Sequence, residues 1–353
     1  MTEKITLTLF LLAIIMMLLF SPATSFTAND ARCSIFIRVD GSIDPSDAPI
    51  KRNGNTYILT GDIYNKTITI EKDNIIIDGN NHVIQGFNTP FSTGIDLTAR
   101  RHVTVKNVRV QGFYFGFSLN YSQYNVIWGN TIYLCSYIIS AVESEGNRIY
   151  NNNFLSVPNR VYGGMNIWDG GYPDGGNFWA NMYGEDLYSG ELQNITGSDG
   201  ICDQIYEINE DNFDSYPLMG FFSVFKAEKQ GETYPIYVVS NSKVLSVSYD
   251  PSASSISLHI SGKVETSRFC RMLIPYELLE EPYMVLINGQ EPVYVDSGLY
   301  SNGTHSWIYF GYNSREEVNQ VHIVPEFSPA LTLCSLAILT LLIIYRRKYV
   351  KIE

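Results

Sequence analysis

Five residues with binding chemistry crowd one glycine-rich stretch: Trp168, Asp169, Tyr172, Asp174 and Trp179, set in Asp169-Gly170-Gly171-Tyr172-Pro173-Asp174-Gly175-Gly176-Asn177-Phe178-Trp179. Aromatic rings stack on the apolar faces of sugars while carboxylates take their hydroxyls, and a few polar groups among aromatic walls is the usual make-up of a small-ligand site. These five are the candidate ligand-binding residues. The same composition also suits a lid, in which Trp168, Phe178 and Trp179 plug an apolar end and the glycines supply turns. Downstream, Asp199-Gly200-Ile201-Cys202-Asp203 places carboxylates around a glycine. A calcium loop needs alternating oxygen ligands before its glycine and a bidentate carboxylate after it. Ile195 and Gly197 stand at the alternate upstream positions, so the ligand pattern fails.

The elements that would position such residues repeat. Gly94-Ile95-Asp96-Leu97 returns as Gly116-Phe117-Ser118-Leu119 and then as Ile138-Ile139-Ser140-Ala141, each 22 residues after the last. Val103, Val105 and Val110 fall in step with Asn125, Ile127 and Ile132, then with Asn147, Ile149 and Phe154. Two or more short alternating strands per period describe the coils of a solenoid. Stacking predicts apolar columns through Val105, Ile127 and Ile149 and through Ile95, Phe117 and Ile139, with amide ladders of Asn125 over Asn147 and Asn130 over Asn152. The acids of this region, Asp78, Asp96, Glu143, Glu145 and Asp169, do not stack: Asp96 steps to Ser118 and Ser140. Glycoside cleavage needs carboxylates projecting together from one face, so no catalytic residue is assigned.

Both ends of the chain read as membrane-directed. Lys4, an apolar run from Ile5 to Phe20 and the small residues Ala23-Thr24-Ser25 describe a secretion signal over residues 1–25, with an uncleaved anchor as the alternative. An apolar span from Ala330 to Ile344 followed by Arg346-Arg347-Lys348 reads as a transmembrane helix with a basic cytoplasmic tail, within a 325–353 segment that opens Pro325-Glu326-Phe327. Asn65, Asn120, Asn194 and Asn302 begin Asn-x-Ser/Thr sites compatible with an exported chain. Cys33, Cys135, Cys202 and Cys270 lie outside the apolar ends, and their three possible pairings, or free buried thiols, stay open. A net charge of -12, with basic residues clustered only in the tail, argues against nucleic acid as a partner.

Residues 26–73 read as an N-terminal cap with first strands, 74–219 as the β-helix with its closing segment, and 220–324 as an antiparallel β-sandwich that serves as a stalk, its alternating strands joined by turns such as Asn288-Gly289 and Asn302-Gly303.

Arg38-Val39-Asp40-Gly41-Ser42-Ile43, Ala48-Pro49-Ile50 and Asn74-Ile75-Ile76-Ile77-Asp78-Gly79 resemble the opening of archaeal secreted right-handed parallel β-helix proteins related to the NosD family of periplasmic copper-binding proteins. Gly176-Asn177-Phe178-Trp179, Asp199-Gly200-Ile201-Cys202-Asp203 and Tyr216-Pro217-Leu218-Met219 resemble the segment that closes such helices, and Phe269-Cys270-Arg271 with Ile274-Pro275 is similar to a β module found ahead of Pro-Glu-Phe tails. The resemblance implies an all-β chain: a right-handed parallel β-helix, then the sandwich, with signal peptide and membrane helix at the ends. It also implies copper. Copper wants His, Cys or Met converging, whereas His82, His102, His259, His305 and His322 are scattered, so no cofactor is expected and Ca²⁺ or Cu remain the ions to test. The expectation is a membrane-anchored, extracellular, non-catalytic binding or structural module with cell-surface or environmental glycans as partners. The alternatives are a polysaccharide lyase or glycoside hydrolase, and a NosD-like metal accessory protein.

Overall fold

Residues 34–87, 89–156 and 160–326 are described by a computed structural model. The secretion signal, Cys33 and the span and basic tail from Phe327 onward lie outside the described residues. Among the described residues every regular element is a strand, and no helix is long and apolar enough to cross a membrane.

Three sheets of seven, six and six strands, parallel except for one antiparallel edge strand in each of the first two, build a β-solenoid of about five turns. Residues one coil apart pair side by side, so the inward side chains line up as columns. Tyr57, Ile77, Val105, Ile127 and Ile149 form one, and Ile35, Ile68, Ile95, Phe117 and Ile139 a second. A third runs Ile63, Ile84, Val110, Ile132, Phe154 and Trp179. All are essentially closed to water, and full burial of such side chains is worth about 1.5–3 kcal/mol each. The stacking expected from the 22-residue step is therefore present. It also reaches further back than that step reveals, because Ile68 meets Ile95 after 27 residues and Ile77 meets Val105 after 28. Extra residues in the stretch that holds the turn closed by Ser92 N on Thr89 O, at 3.1 Å, hide the early coils from a fixed-period reading.

The corners repeat as well. Ala99, Tyr121 and Glu143 have φ of 58°, 56° and 50°, and Asn107, Gly129 and Asn151 have 54°, 66° and 55°. The first of these corners holds a second left-handed residue in each coil, His102, Tyr124 and Gly146, at 54°, 56° and 65°, and such residues turn each coil onto the next sheet at a cost of about 1–2 kcal/mol where an ordinary side chain is carried. At the first coils the antiparallel pairs Ser34–Ile37 with Ile43–Asp44 and Ile50–Asn53 with Thr56–Leu59 cover the open end.

Beyond Met219 the chain forms two antiparallel sheets. One has five strands, with Phe221–Lys229 and Tyr294–Ser301 at its edges; the other has four, with Lys243–Asp250 and Tyr283–Ile287 at its edges. Strand alternation gives each sheet one apolar face, and Ile236, Val238, Met272 and Phe310 of the first share a core with Ile256, Leu258, Val285 and Val321 of the second. The five-stranded sheet is apolar on its other face too. There Phe222, Val239, Phe269 and Tyr309 pack with Ile201 and Leu218 of the closing segment, and Trp128 of the coils lies 5.5 Å from the Phe222 ring and 5.4 Å from the Tyr237 ring. Asn153 ties the two parts together, its amide donating to Phe222 O and accepting from Phe222 N at 2.9 and 2.8 Å.

Candidate functional site

The loop from Trp168 to Trp179 closes the last coil. Trp179 continues the column of Phe154, with its ring 4.7 Å from Phe154 and stacked 4.1 Å from Tyr206, and Trp168 lies 6.0 Å away. Both indoles are buried, at 0% and 1% exposure, and a ring without a solvent face cannot stack on a sugar. For these two candidates the lid describes the geometry, because an open solenoid end demands an apolar cover. Asp169 is partly exposed, and its carboxylate accepts from Gly171 N and Ser215 N at 2.9 and 3.1 Å. Tyr172 is half-buried between the Tyr216 and Tyr300 rings, each 6.3 Å away. Only Asp174 of the five is an exposed residue, and partial burial of its carboxyl still raises its pKa.

Two amide ladders lead into this lid. Asn125 donates N and Nδ2 to Asn147 Oδ1 at 3.0 and 2.9 Å, and Asn147 donates likewise to Asn166. Asn130 does the same to Asn152, and Asn152 to Asn177. Each amide thus satisfies a buried backbone N–H one coil earlier, which is why asparagine recurs there. Both ladders end on one short strand, Asn212–Asp214. Asn212 Oδ1 accepts from Asn166 N and from the Trp168 indole at 2.9 and 3.0 Å; Asp214 Oδ2 accepts from Asn177 N and from the Trp179 indole at 2.7 and 2.9 Å. Residues two apart on a strand share a face, so a single strand receives both ladders and both indoles. The approach is close enough to require glycine at Gly176, where a Cβ would stand 1.7 Å from Asp214 Oδ1. Burial pushes the Asp214 carboxyl up to about 7 despite these donors.

Carboxylates of the closing segment face backbone N–H groups. Asp186 accepts from Asp199 N and Gly200 N at 2.9 and 2.8 Å, and Asp203 from Leu187 N and Tyr188 N at 2.9 and 3.3 Å. Asp199 accepts from Ile201 N at 2.9 Å and from Gln193 Nε2 at 3.2 Å, and it also meets Arg271. Arg271 is fully buried on the five-stranded sheet, with its guanidinium 3.7 Å from the Asp199 carboxylate and 4.5 Å over the Trp307 ring, and it donates to the carbonyls of Asp199 and Pro173. Desolvation lowers the Arg271 pKa and raises that of Asp199, while each partner's charge opposes the other's shift; a guanidinium stays protonated in proteins. Neither Asn212–Asp214 nor this ion pair announces itself in the sequence. The signal for the pair is an arginine inside the apolar run Phe269-Cys270-Arg271-Met272-Leu273-Ile274, which demands a buried acceptor from elsewhere.

The histidines are apart and engaged. His82 lies 3.2 Å from Asp62, His102 stacks on Tyr124 at 5.6 Å, His259 and His322 bond Ser246 and Ser257, and His305 bonds Thr304. Cys135, Cys202 and Cys270 are free, buried thiols. Among the described residues no group of three or more His, Cys, Asp or Glu is placed to hold a metal ion.

No curated protein and no solved structure gives a significant match to the chain. Residues 20–184 match the model of the family described as periplasmic copper-binding protein (NosD). The described residues of that stretch carry the stacked sheets, a NosD-like parallel β-helix.

Proposed function

We propose that this is an exported, membrane-tethered surface protein whose β-helix acts as a non-catalytic binding and structural module for carbohydrate, with the two antiparallel sheets forming a sandwich that spaces it from the membrane. The periplasmic description of the matched family agrees with an exported chain. One observation carries the non-catalytic reading: apart from the exposed Asp174, the carboxylates named around the lid are tied to backbone N–H groups, to indoles or to Arg271. A hydrolase needs two carboxylates that confront each other across a gap wide enough for a glycosidic bond. The copper suggested by the family's description fits these residues poorly, since the histidines do not converge and the thiols are buried. A glycan array probed with the full chain, followed by product analysis of every glycan retained, tests the reading. Retention without cleavage supports it; new reducing or unsaturated ends would establish the enzyme instead, and stoichiometric copper surviving dialysis would establish the metal accessory protein.

A further inference from the structure

The third sheet of the solenoid turns two columns outward. Alternation along its strands puts Tyr64, Gln85, Gln111 and Tyr133 in one column and Val83, Arg109 and Thr131 beside it, each residue paired with the next across the sheet. A tyrosine stands at each end of the first column and two amides stand between, joined by a Gln111 Nε2 to Gln85 Oε1 hydrogen bond of 2.6 Å. Tyr64 is 57% exposed, Arg109 is open to solvent, and Gln85, Gln111 and Tyr133 are partly so. Strands lie about 4.8 Å apart, so three steps separate the rings by roughly 14 Å along the solenoid axis.

The charge of this face differs from that of the chain. In a protein of net charge -12, neither column holds a carboxylate. Arg109 gives Nε and Nη2 to Asn81 O at 3.0 and 2.7 Å, which aims the guanidinium and leaves Nη1 without a partner among the described residues. Lys66 lies two residues beyond Tyr64. One carboxylate touches the strip: Asp62 accepts from the Tyr64 hydroxyl at 3.4 Å and from Val83 N at 2.9 Å, with the His82 ring 3.2 Å away to offset its charge. The strip ends where Asn153, next after Thr131 in the second column, is buried against Phe222.

We propose that this strip binds an extended, uronic-acid-bearing glycan lying along the solenoid axis. Tyr64 and Tyr133 stack on sugar rings, Gln85 and Gln111 meet hydroxyls, and Arg109 pairs with a carboxylate. The placement rests on the glycan-binding reading above and replaces the lid as the contact surface, since the lid indoles are closed.

Calorimetric titration of the full chain with an oligogalacturonate and with a neutral β-1,4-linked glucose oligomer tests it. The acidic oligomer binds more tightly, and its affinity falls as salt is added. Tyr64→Ala with Tyr133→Ala lowers that affinity about tenfold or more at an unchanged melting temperature, and Arg109→Gln removes the preference for the acidic over the neutral oligomer. Should Tyr133→Ala lower the melting temperature, Tyr64→Ala on the first strand of the sheet supplies the measurement. Equal binding of the acidic oligomer by wild type and all three variants would overturn the strip while leaving the glycan reading intact. Failure of the wild type to retain any glycan on the array would overturn both.

Discussion

Within the coils a buried polar group is met by the same residue type one turn later, whereas at the seam with the five-stranded sheet a buried guanidinium is met by a carboxylate and carbonyls that do not repeat. Asn125, Asn147 and Asn166 hand one hydrogen-bond pattern from coil to coil because an amide both donates and accepts. Arg271 only donates, so its partners are Asp199 and two carbonyls from segments far away in sequence. Polar satisfaction in the coils is therefore carried by a period and can be extended by copying. The seam depends on two particular residues, and losing either leaves a charge stranded without water.

Three changes break or sharpen this contrast. The largest effect belongs to Ile127→Asp: an unpaired carboxylate at a fully buried column position costs several kcal/mol, a large part of the 5–15 kcal/mol that holds an ordinary domain. Loss of the cooperative thermal transition is expected, and a melting curve like the wild type's would show that the register is wrong. Arg271→Met comes next, at about 3–5 kcal/mol, because it strands Asp199; adding Asp199→Leu should return much of that loss. Denaturant titration of the single and double variants decides it, and a double variant no more stable than the single would mean that the pair's charges are not what the seam needs.

The smallest effect compares the ladder ends, one an amide and the other an acid. Asp214 sits at about 7 in the folded chain, against about 3.9 when unfolded. Between those values the folded state keeps a proton that the unfolded state has lost, so this group's contribution to stability falls as pH rises from about 4 to about 7 and is level above. Asp214→Asn gives both ladders a neutral end. It reduces the difference in melting temperature between about pH 5 and about pH 8, leaving the part due to Asp186, which burial also raises to about 7, while the loss of an acceptor for Tyr216 N lowers stability by about 1 kcal/mol throughout. An unaltered pH profile in the variant would remove Asp214 as the titrating group.

What could be read from the sequence follows the same division. The columns through Val105 and Ile95 and the ladders from Asn125 and Asn130 were legible because each partner lies 22 residues on. Asn166 and Asn177 follow at 19 and 25 residues, and Asn212 and Asp214 lie on a separate strand, so the ends of the same ladders were not legible. Trp168 and Trp179 illustrate the limit at the site: composition supports a sugar platform and a plug equally, and only burial separates them. The outward column from Tyr64 to Tyr133 was missed for a related reason, since Gln85 and Gln111, with the Thr89-to-Ser92 turn between them, lie 26 residues apart and out of the repeat.

The strand Asn212–Asp214 also sets an order of construction. A chain made from its N-terminus can stack each coil on the one before, so the growing edge is always a usable template of unpaired backbone groups. Both ladders and both indoles wait for acceptors made more than thirty residues after Trp179. A chain stopped short of Asn212 would hold every coil and yet leave Asn166 N, Asn177 N and both indoles without these acceptors.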